Sequence, residues 1–307
     1  MSATLRRSGV GQGEAVGGGL APVRGRRRTY GWSESEAIVT IAVVADGTAA
    51  VCPGRGNRSL GEAVAGDAAI VEGLSGVESV PMILSAGQDL LQQVRRLPDR
   101  YSAVCVVRTD PARARGVAEA SYEDALRPVL TEQDAEATAL CAAVLRHLRR
   151  VGRQPTDSRV LVADSARNPS VASLLMVCGV FDLAVWSQAD AARFPLRSVL
   201  SEMDAVADLR PPGNGQDDLS LDRPEGSMVR TTGLDARMLV APGVLRTASA
   251  FGPGEAPVSL DMLRLCAQAI SEAPPVHSAM AALPADDIAD RVAYATKRMI
   301  DPRFLRS

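Results

Sequence analysis

The amino-acid sequence predicts an α/β protein of two domains, the second of them a Rossmann-like, doubly wound unit. Short apolar runs bounded by Gly, Pro or charged residues alternate along the chain with helical patterns. Residues 159–186 show a strand–helix–strand pattern about as long as the first unit of a Rossmann fold. With 307 residues, of which 46% are hydrophobic and 23% charged, the chain has the composition of a folded protein with ample core material.

The N-terminal half is predicted to begin with an arm and to continue with buried strands. Residues 1–32 are rich in Arg and Gly and show no hydrophobic period, so we expect a disordered, solvated arm rather than a nucleic-acid-binding segment. Short β-branched or apolar runs then predict strands at residues 38–45, 80–84 and 103–108.

A long helix is predicted at residues 132–153. Thr131 can cap its N-terminus, a helical stripe of Ala and Leu supplies its apolar face, and basic residues lie toward its C-terminal end. Gly152 and Pro155 are expected to end it.

The second half is predicted to continue the alternation. Its expected elements are a strand at 159–164, a helix at 171–179, a strand at 183–186, a surface loop at 210–227, a strand at 238–241 and helices at 260–272 and 286–299. The predicted domains are therefore residues 33–156 and 157–284, followed by a C-terminal helix and tail at 285–307.

Charge, hydropathy and cysteine usage exclude several classes of protein. A formal net charge of −2 gives no global basic field for nucleic acid or an anionic membrane. No apolar run approaches the ~18–20 residues of a membrane helix, and a signal-peptide pattern is missing, so we expect a cytoplasmic protein. The widely spaced cysteines predict buried structural thiols rather than a disulfide framework or a zinc site. They are Cys52, Cys105, Cys141, Cys178 and Cys266.

Four features follow one another in an order typical of one enzyme family. The first is an apolar strand ending in Asp-Gly-Thr at residues 41–48, with a Gly-Asp-Ala step at 66–68 and a Pro-containing strand at 76–84. The second is the helical segment 142–153, the third is the Rossmann-like unit, and the fourth is the Pro-Gly segment 238–246. In sequence and approximate spacing, over roughly residues 39–302, these features resemble malic enzymes.

The resemblance implies a fold, an activity and a set of partners. The expected fold is a malic-enzyme-like substrate domain plus a shortened Rossmann-like doubly wound domain. Malic enzymes oxidatively decarboxylate malate with NAD(P) and with Mg²⁺ or Mn²⁺, and they commonly form dimers. We therefore expect a homo-oligomer, or a hetero-oligomer with a related protein, and a small carboxylate as a possible ligand.

The same resemblance implies that the catalytic positions are replaced. Asp67 stands where the family carries its proton-transferring lysine, and the single lysine of the chain, Lys297, is distant in sequence. Val107 and Arg108 stand at the Glu-Asp pair that holds the metal, and only Glu132 keeps a carboxylate at the third ligand position. An alkyl group cannot ligate a divalent cation and a guanidinium repels it, so no metal site is predicted and Glu132 is expected to be a solvated helical acid.

The loop at the dinucleotide position is also changed. The family's glycine-rich turn becomes Asp164-Ser165-Ala166-Arg167-Asn168-Pro169-Ser170, which has no glycine where the backbone must approach a pyrophosphate. Asp164 adds negative charge there, while Ser165, Arg167 and Ser170 could still hold an anion. We expect a structural turn and no cofactor, with NAD(P) and Mg²⁺ or Mn²⁺ bound only if their sites were rebuilt.

These replacements leave three hypotheses for the function. The first is a noncatalytic binding or regulatory protein. The second is a repurposed enzyme acting on a small carboxylate through Asp67, Arg108, Glu132, Asp134 or His147, with Arg108 as a bidentate clamp. The third is a divergent NAD(P)-dependent malic enzyme. On its own pattern, His147 is predicted to be a surface or interface side chain.

Overall fold

The computed structural model describes residues 40–49, 59–124, 126–211, 227–230, 234–248, 258–272 and 290–296; for residues 234–239 it describes the backbone alone. All of these residues belong to one compact unit. The predicted arm at 1–32 and most of the predicted loop at 210–227 lie outside the described residues. The predicted domain boundaries stay predictions.

The first half of the described chain forms a parallel sheet covered by helices. Its strands are β1 (Thr40–Ala45), β2 (Glu78–Ile83), β3 (Tyr101–Val106) and β4 (Val129–Thr131), in the order β2-β1-β3-β4. The connecting helices are α1 (Leu60–Ser75), α2 (Leu90–Arg95) and α3 (Pro111–Glu123). The strands predicted at 38–45, 80–84 and 103–108 are thus confirmed, with shifted ends.

Helices cover both faces of this sheet, which explains why the inner strand β1 is apolar from Ile41 to Ala45. Ile41 and Val43 of β1 point to a core that includes α1, whereas Ala42 and Val44 point to a core that includes α2 and α3. A strand covered on both faces has no polar face, so it reads as a continuous hydrophobic run.

The long helix α4 (Glu132–Arg150) packs against both halves of the fold. Thr131 caps it as predicted, because its hydroxyl accepts from the Asp134 N–H at 3.1 Å and donates to the Asp134 carboxylate at 2.7 Å. Gly152 follows the helix with φ 73, a left-handed conformation that suits glycine. The buried face of α4 joins one continuous core with strands of both sheets.

The second half repeats the parallel arrangement. Its strands are β5 (Arg159–Ala163), β6 (Asp182–Trp186), β7 (Ala205–Asp208) and β8 (Met228–Arg230), in the order β6-β5-β7-β8. The helices between them are α5 (Ser170–Val177) and α6 (Leu196–Leu200). The predicted β5–α5–β6 unit is confirmed, and two parallel sheets in one chain confirm the α/β fold class.

The strand predicted at residues 238–241 is wrong. This segment lies in α7 (Leu234–Ala248), which contains Pro242. The buried residues of its last turns are Val240, Ala241, Val244, Leu245 and Ala248. Their spacing is helical, and the apolar period continues through the proline instead of stopping at it. The helix predicted at 260–272 is confirmed as α8 (Leu260–Ser271), and residues 290–296, within the predicted C-terminal helix, are also helical.

Two further expectations concern cysteines and membranes. Cys105, Cys141, Cys178 and Cys266 are free and buried, as predicted, and the Sγ atoms of Cys141 and Cys178 lie 3.5 Å apart. Cys52 lies outside the described residues. Within the part of the chain that the structure describes, none of the helices is long and apolar enough to cross a membrane.

Candidate functional site

The candidate site lies at the carboxyl ends of β1 and β3. These strands are neighbours, yet the chain leaves β1 toward β2 on one side and leaves β3 toward β4 on the other. Such a reversal of strand order opens a crevice outside the strand ends, where parallel α/β sheets bind their ligands. The residues that follow the two strands there are Asp46, Gly47, Thr48, Val107, Arg108, Thr109 and Asp110.

A buried ion pair joins two of the predicted site residues, Asp67 of α1 and Arg108 after β3. Arg108 donates from Nε to Asp67 Oδ2 at 2.6 Å and from Nη2 to Asp67 Oδ1 at 3.0 Å, so the contact is bidentate. Asp67 lies in α1, and its side chain is 3% exposed, while that of Arg108 is 16% exposed. The pair is therefore largely withdrawn from water, where charge-assisted hydrogen bonds are strong and an unpaired charge is costly.

Glu132, another of the predicted site residues, holds the backbone of Arg108. Arg108 has φ 50, a left-handed conformation that costs a non-glycine residue of order 1–2 kcal/mol. Its N–H donates to Glu132 Oε2 at 2.9 Å. Glu132 lies in the first turn of α4, as predicted, but it is only partly exposed and accepts the Arg108 N–H, so the expectation of a simply solvated side chain is wrong.

Val107 faces the core. It is 3% exposed, belongs to the larger hydrophobic cluster, and its N–H donates to the carbonyl of Val44 at 2.9 Å. An alkyl group, a guanidinium and a carboxylate that already accepts an amide do not fit a divalent cation, which needs several oxygen ligands. Among the described residues, no three His, Cys, Asp or Glu side chains form a metal-holding group.

A second charge cluster follows β1, and its arginine was missed at the sequence level. Asp46 accepts at Oδ1 from the Thr48 hydroxyl at 2.6 Å and the Thr48 N–H at 3.0 Å, and at Oδ2 from Arg113 Nε at 2.9 Å. The Asp110 N–H in turn donates to the Thr48 hydroxyl at 2.8 Å. Burial raises the pKa of Asp46, but the hydrogen bonds from Thr48 and Arg113 outweigh it and hold the pKa below its usual value.

Gly47 makes the turn inside this cluster possible. It has φ 70, and a Cβ atom built there would lie 2.8 Å from Cδ2 of Leu60. The Asp-Gly-Thr sequence therefore forms a tight turn whose polar groups satisfy one another around Asp46.

The other residues considered for a repurposed site do not join the Asp67–Arg108 pair. Asp134 caps α4 through Thr131, and burial raises its pKa against the opposing hydrogen bonds from Thr131. His147 lies near the opposite end of α4, about 22 Å along the helix from Glu132. His147 was predicted at the surface or at an interface, and the surface position is wrong, because the residue is 5% exposed and its Nδ1 lies 3.3 Å from Arg150 Nη2.

The loop at the dinucleotide position is a compact turn after β5. Asp164 takes the left-handed conformation with φ 63, and its N–H donates to the Trp186 carbonyl at 2.7 Å. Ser165–Arg167 form a single 3₁₀ turn, and Ser170 is the first residue of α5. The structure places these four residues at the turn from β5 into α5, and their role in anion binding stays a prediction.

Asn168 anchors this loop to α4, a role that the sequence did not reveal. Its side chain is fully buried, and Nδ2 donates to the Gln133 carbonyl at 2.9 Å and to Glu136 Oε2 at 3.1 Å. The loop is thereby tied to the helix whose first turn carries Glu132.

A buried cluster at the ends of β7 and β8 was also missed. Asp208 accepts from Arg210 Nε at 2.7 Å and Nη2 at 2.8 Å, and from Arg230 Nε at 2.7 Å. Burial raises the pKa of Asp208, but the two guanidinium groups outweigh it and lower the pKa below its usual value. An Asp-x-Arg spacing at a strand end is the sequence signal that could have found it.

Solved malic enzymes share this fold. The malic enzyme from Pyrococcus horikoshii matches with a TM-score of 0.68 and 15% identity, over 87% of this chain and 77% of that chain. The Entamoeba histolytica malic enzyme matches with a TM-score of 0.68 and 14% identity, over 85% and 70% of the two chains. The NAD-dependent malic enzyme from Thermotoga maritima matches with a TM-score of 0.67 and 16% identity, over 84% of each chain.

Sequence comparisons add no closer relative. No protein-family model matches the chain, and no curated protein matches it. The resemblance to malic enzymes is confirmed at the level of the fold, which is what identities of this size show.

Proposed function

We propose, from the premise that this chain has the malic-enzyme fold, that it does not decarboxylate malate and acts as a noncatalytic binding or regulatory protein. The observation that supports this proposal is the bidentate Asp67–Arg108 pair in the crevice at the ends of β1 and β3. A cytoplasmic location stays part of the proposal.

The pair opposes metal binding through both its charge and its position. Arg108 brings a positive charge to the place where the resemblance implies a metal-binding carboxylate, and its N–H donates to Oε2 of Glu132. A divalent cation beside Glu132 would have to displace the guanidinium, which would take the bidentate partner away from the buried Asp67 carboxylate. Breaking a buried pair in this way costs about 3–5 kcal/mol, and because Val107 and Arg108 stand at two of the three implied ligand positions, the cation would find a carboxylate at the Glu132 position alone.

The pair also opposes proton transfer at the former lysine position. Both carboxylate oxygens of Asp67 accept hydrogen bonds from Arg108. A general base must reach the substrate proton within hydrogen-bond distance, and a carboxylate held by a guanidinium on both oxygens is poorly placed for this.

The hypothesis of a repurposed enzyme gains little from this geometry. It uses Arg108 as a clamp for a substrate carboxylate, but Nε and Nη2 of Arg108 already hold Asp67. A substrate carboxylate would have to compete with the Asp67 carboxylate, which is already in place.

We further propose that neither a metal nor NAD(P) is bound, and that the partner is a second copy or a related protein.

Isothermal titration calorimetry of the full chain tests the proposal. Mn²⁺, malate, NAD⁺ and NADP⁺ are titrated singly and together, with an active malic enzyme in the same buffer as the positive control. We expect no heat beyond dilution for this protein and no malate-dependent reduction of either dinucleotide. Saturable binding of a metal–malate pair, or any turnover, would contradict the proposal.

A rebuilt variant tests whether three positions account for the expected loss of metal binding. Asp67→Lys with Val107→Glu and Arg108→Asp returns the residue types that the resemblance implies while keeping opposite charges at 67 and 108. Binding of Mn²⁺ by this variant, with none by the wild-type protein, would assign the loss to these three positions.

A further inference from the structure

Strand β6 forms one edge of the second sheet and carries exposed apolar side chains. Among the described strands it pairs only with β5. Phe181, immediately before β6, is 72% exposed, and Val185 within it is 58% exposed. At the end of the preceding helix α5, Met176 is 54% and Val177 is 41% exposed. Exposed apolar side chains beside an open strand edge mark an interaction surface.

The exposed side chains share one face of the sheet. Side chains alternate along a strand, so Phe181, Leu183 and Val185 point to the same side. Leu183 packs against the core that contains α5, whereas Ala184 and Trp186 belong to the core on the other face. The residues on and beside β6 therefore form an apolar stripe continuous with the end of α5.

The backbone of β6 is open on its outer edge at two residues. The Trp186 carbonyl accepts from the Asp164 N–H, so residue 186 directs its backbone groups inward, toward β5. Successive residues of an extended strand direct these groups to opposite edges, so Ala184 also faces inward, while Leu183 and Val185 face outward. Within the described part of the chain, the outward N–H and C=O groups of these two residues have no strand partner.

The outward-facing edge of β6 can pair with the same edge of a second copy. When two copies of β6 run antiparallel about a two-fold axis at Ala184, Leu183 lies opposite Val185 of the second copy, and each such pair exchanges both backbone hydrogen bonds. Ala184 meets its own copy at the axis, where strands approach most closely and a small residue fits. Asp182 lies opposite Trp186, so no like charges face each other across the strands.

The size of the stripe fits a weak dimer. Phe181 contributes about 150 Å² of exposed side chain, and the four residues together contribute roughly 400 Å². That is about half of the ~800 Å² per partner in a standard stable interface. Paired backbone adds to it, and the association is expected in the micromolar range, roughly 1–100 µM.

We propose that β6 is a self-association surface, through which two copies of this chain pair their second sheets into one continuous sheet. The inference is independent of the proposed loss of catalysis, because none of its residues lies in the Asp67–Arg108 crevice. It gives the predicted homo-oligomer a specific interface.

Sedimentation velocity over about 1–300 µM protein tests the surface. We expect a concentration-dependent dimer for the full chain. The dissociation constant of that dimer should be at least tenfold larger for Val185→Lys. Ile83→Lys is the matched control, because Ile83 is 56% exposed on β2, the edge strand of the first sheet. Its dissociation constant should equal that of the wild-type protein. A monomer at all concentrations, or a dimer that survives Val185→Lys, would overturn the proposal.

Disulfide cross-linking tests the register and stands even if Val185→Lys fails to fold. In this register the two Cα atoms at position 184 lie about 4.5 Å apart, within disulfide range. Ala184→Cys should therefore give a covalent dimer when two thiols lose two protons and two electrons to oxidised glutathione, which is reduced to two thiols. Val185→Cys is the control, because its copies lie diagonally, about 7–8 Å apart, beyond that range. Equal cross-linking of both variants, or none with Ala184→Cys, would contradict the register.

Discussion

Removing the charge of Arg108 should destabilise the protein far more than removing an exposed arginine. Arg108→Met keeps an apolar stem but leaves Asp67, whose side chain is 3% exposed, without its bidentate partner. Breaking a buried pair costs about 3–5 kcal/mol, and the 16% exposure of Arg108 places the expected loss near the lower end, about 3 kcal/mol. Asp67→Leu should cost a similar amount, because it leaves the Arg108 guanidinium without the carboxylate to which it donates.

The double variant separates the pair from its surroundings. Asp67→Leu with Arg108→Met replaces both charges by apolar groups, which is often neutral or stabilising, so we expect a change within about 1 kcal/mol of zero. The resulting coupling free energy of several kcal/mol is measured as a double-mutant cycle from urea unfolding curves. Arg95→Met is the matched control, since the Arg95–Asp124 pair is 37% and 46% exposed, and it should cost less than about 1 kcal/mol.

Two results would refute this reasoning. One is a cost below about 1 kcal/mol for Arg108→Met, which is the range of exposed pairs. The other is additive single variants, with no coupling between positions 67 and 108. Arg108→Gly adds a check on the backbone, because glycine relieves the strain at φ 50 and should recover about 1 kcal/mol relative to Arg108→Met.

Three further predictions concern pH, capping and the shared core. Because the folded pKa of Asp208 is lowered, its contribution to stability is present above its ordinary pKa and is lost as pH falls through the folded value. Asp208→Asn should cost about 3–5 kcal/mol at neutral pH and flatten the stability loss below about pH 4 in urea titrations; an unchanged pH slope would contradict this. Thr131→Ala should cost about 1 kcal/mol and Thr131→Ser much less, measured by thermal unfolding, and equal costs would argue against the cap. Leu148→Ala, at a fully buried position on α4, should cost about 2–5 kcal/mol in one cooperative transition; two separate transitions would contradict the shared core.

Much of the fold could be predicted because its signals are local. The apolar run of β1 and the capping residues of α4 each depend on neighbours within a few positions. The helix α7 could not be predicted, because the short apolar run at residues 238–241 before Pro242 fits a strand as well as a helix. Packing decides between the two. His147 was misjudged because flanking arginines say little about burial.

The site was only half visible in the sequence. The replacements at positions 67 and 108 could be read one by one, but their contact spans 41 residues of chain between α1 and the end of β3. The signal that could have found it is the double change of charge, an acid where the family has a base and a base where it has an acid. The Arg113–Asp46 contact spans 67 residues, and nothing in the local pattern pointed to it.

The Nε–H resonance of Arg108 gives the most direct test of whether the Asp67–Arg108 pair keeps a metal ion out of the site. It is assigned by its loss in Arg108→Lys and followed by ¹H–¹⁵N NMR while Mn²⁺ and malate are added. We expect a protected, slowly exchanging signal that the paramagnetic ion leaves unbroadened, since the pair excludes it. Rapid exchange with water, or selective broadening of this signal at stoichiometric Mn²⁺ and malate, would show that the pair opens and that the metal enters the crevice.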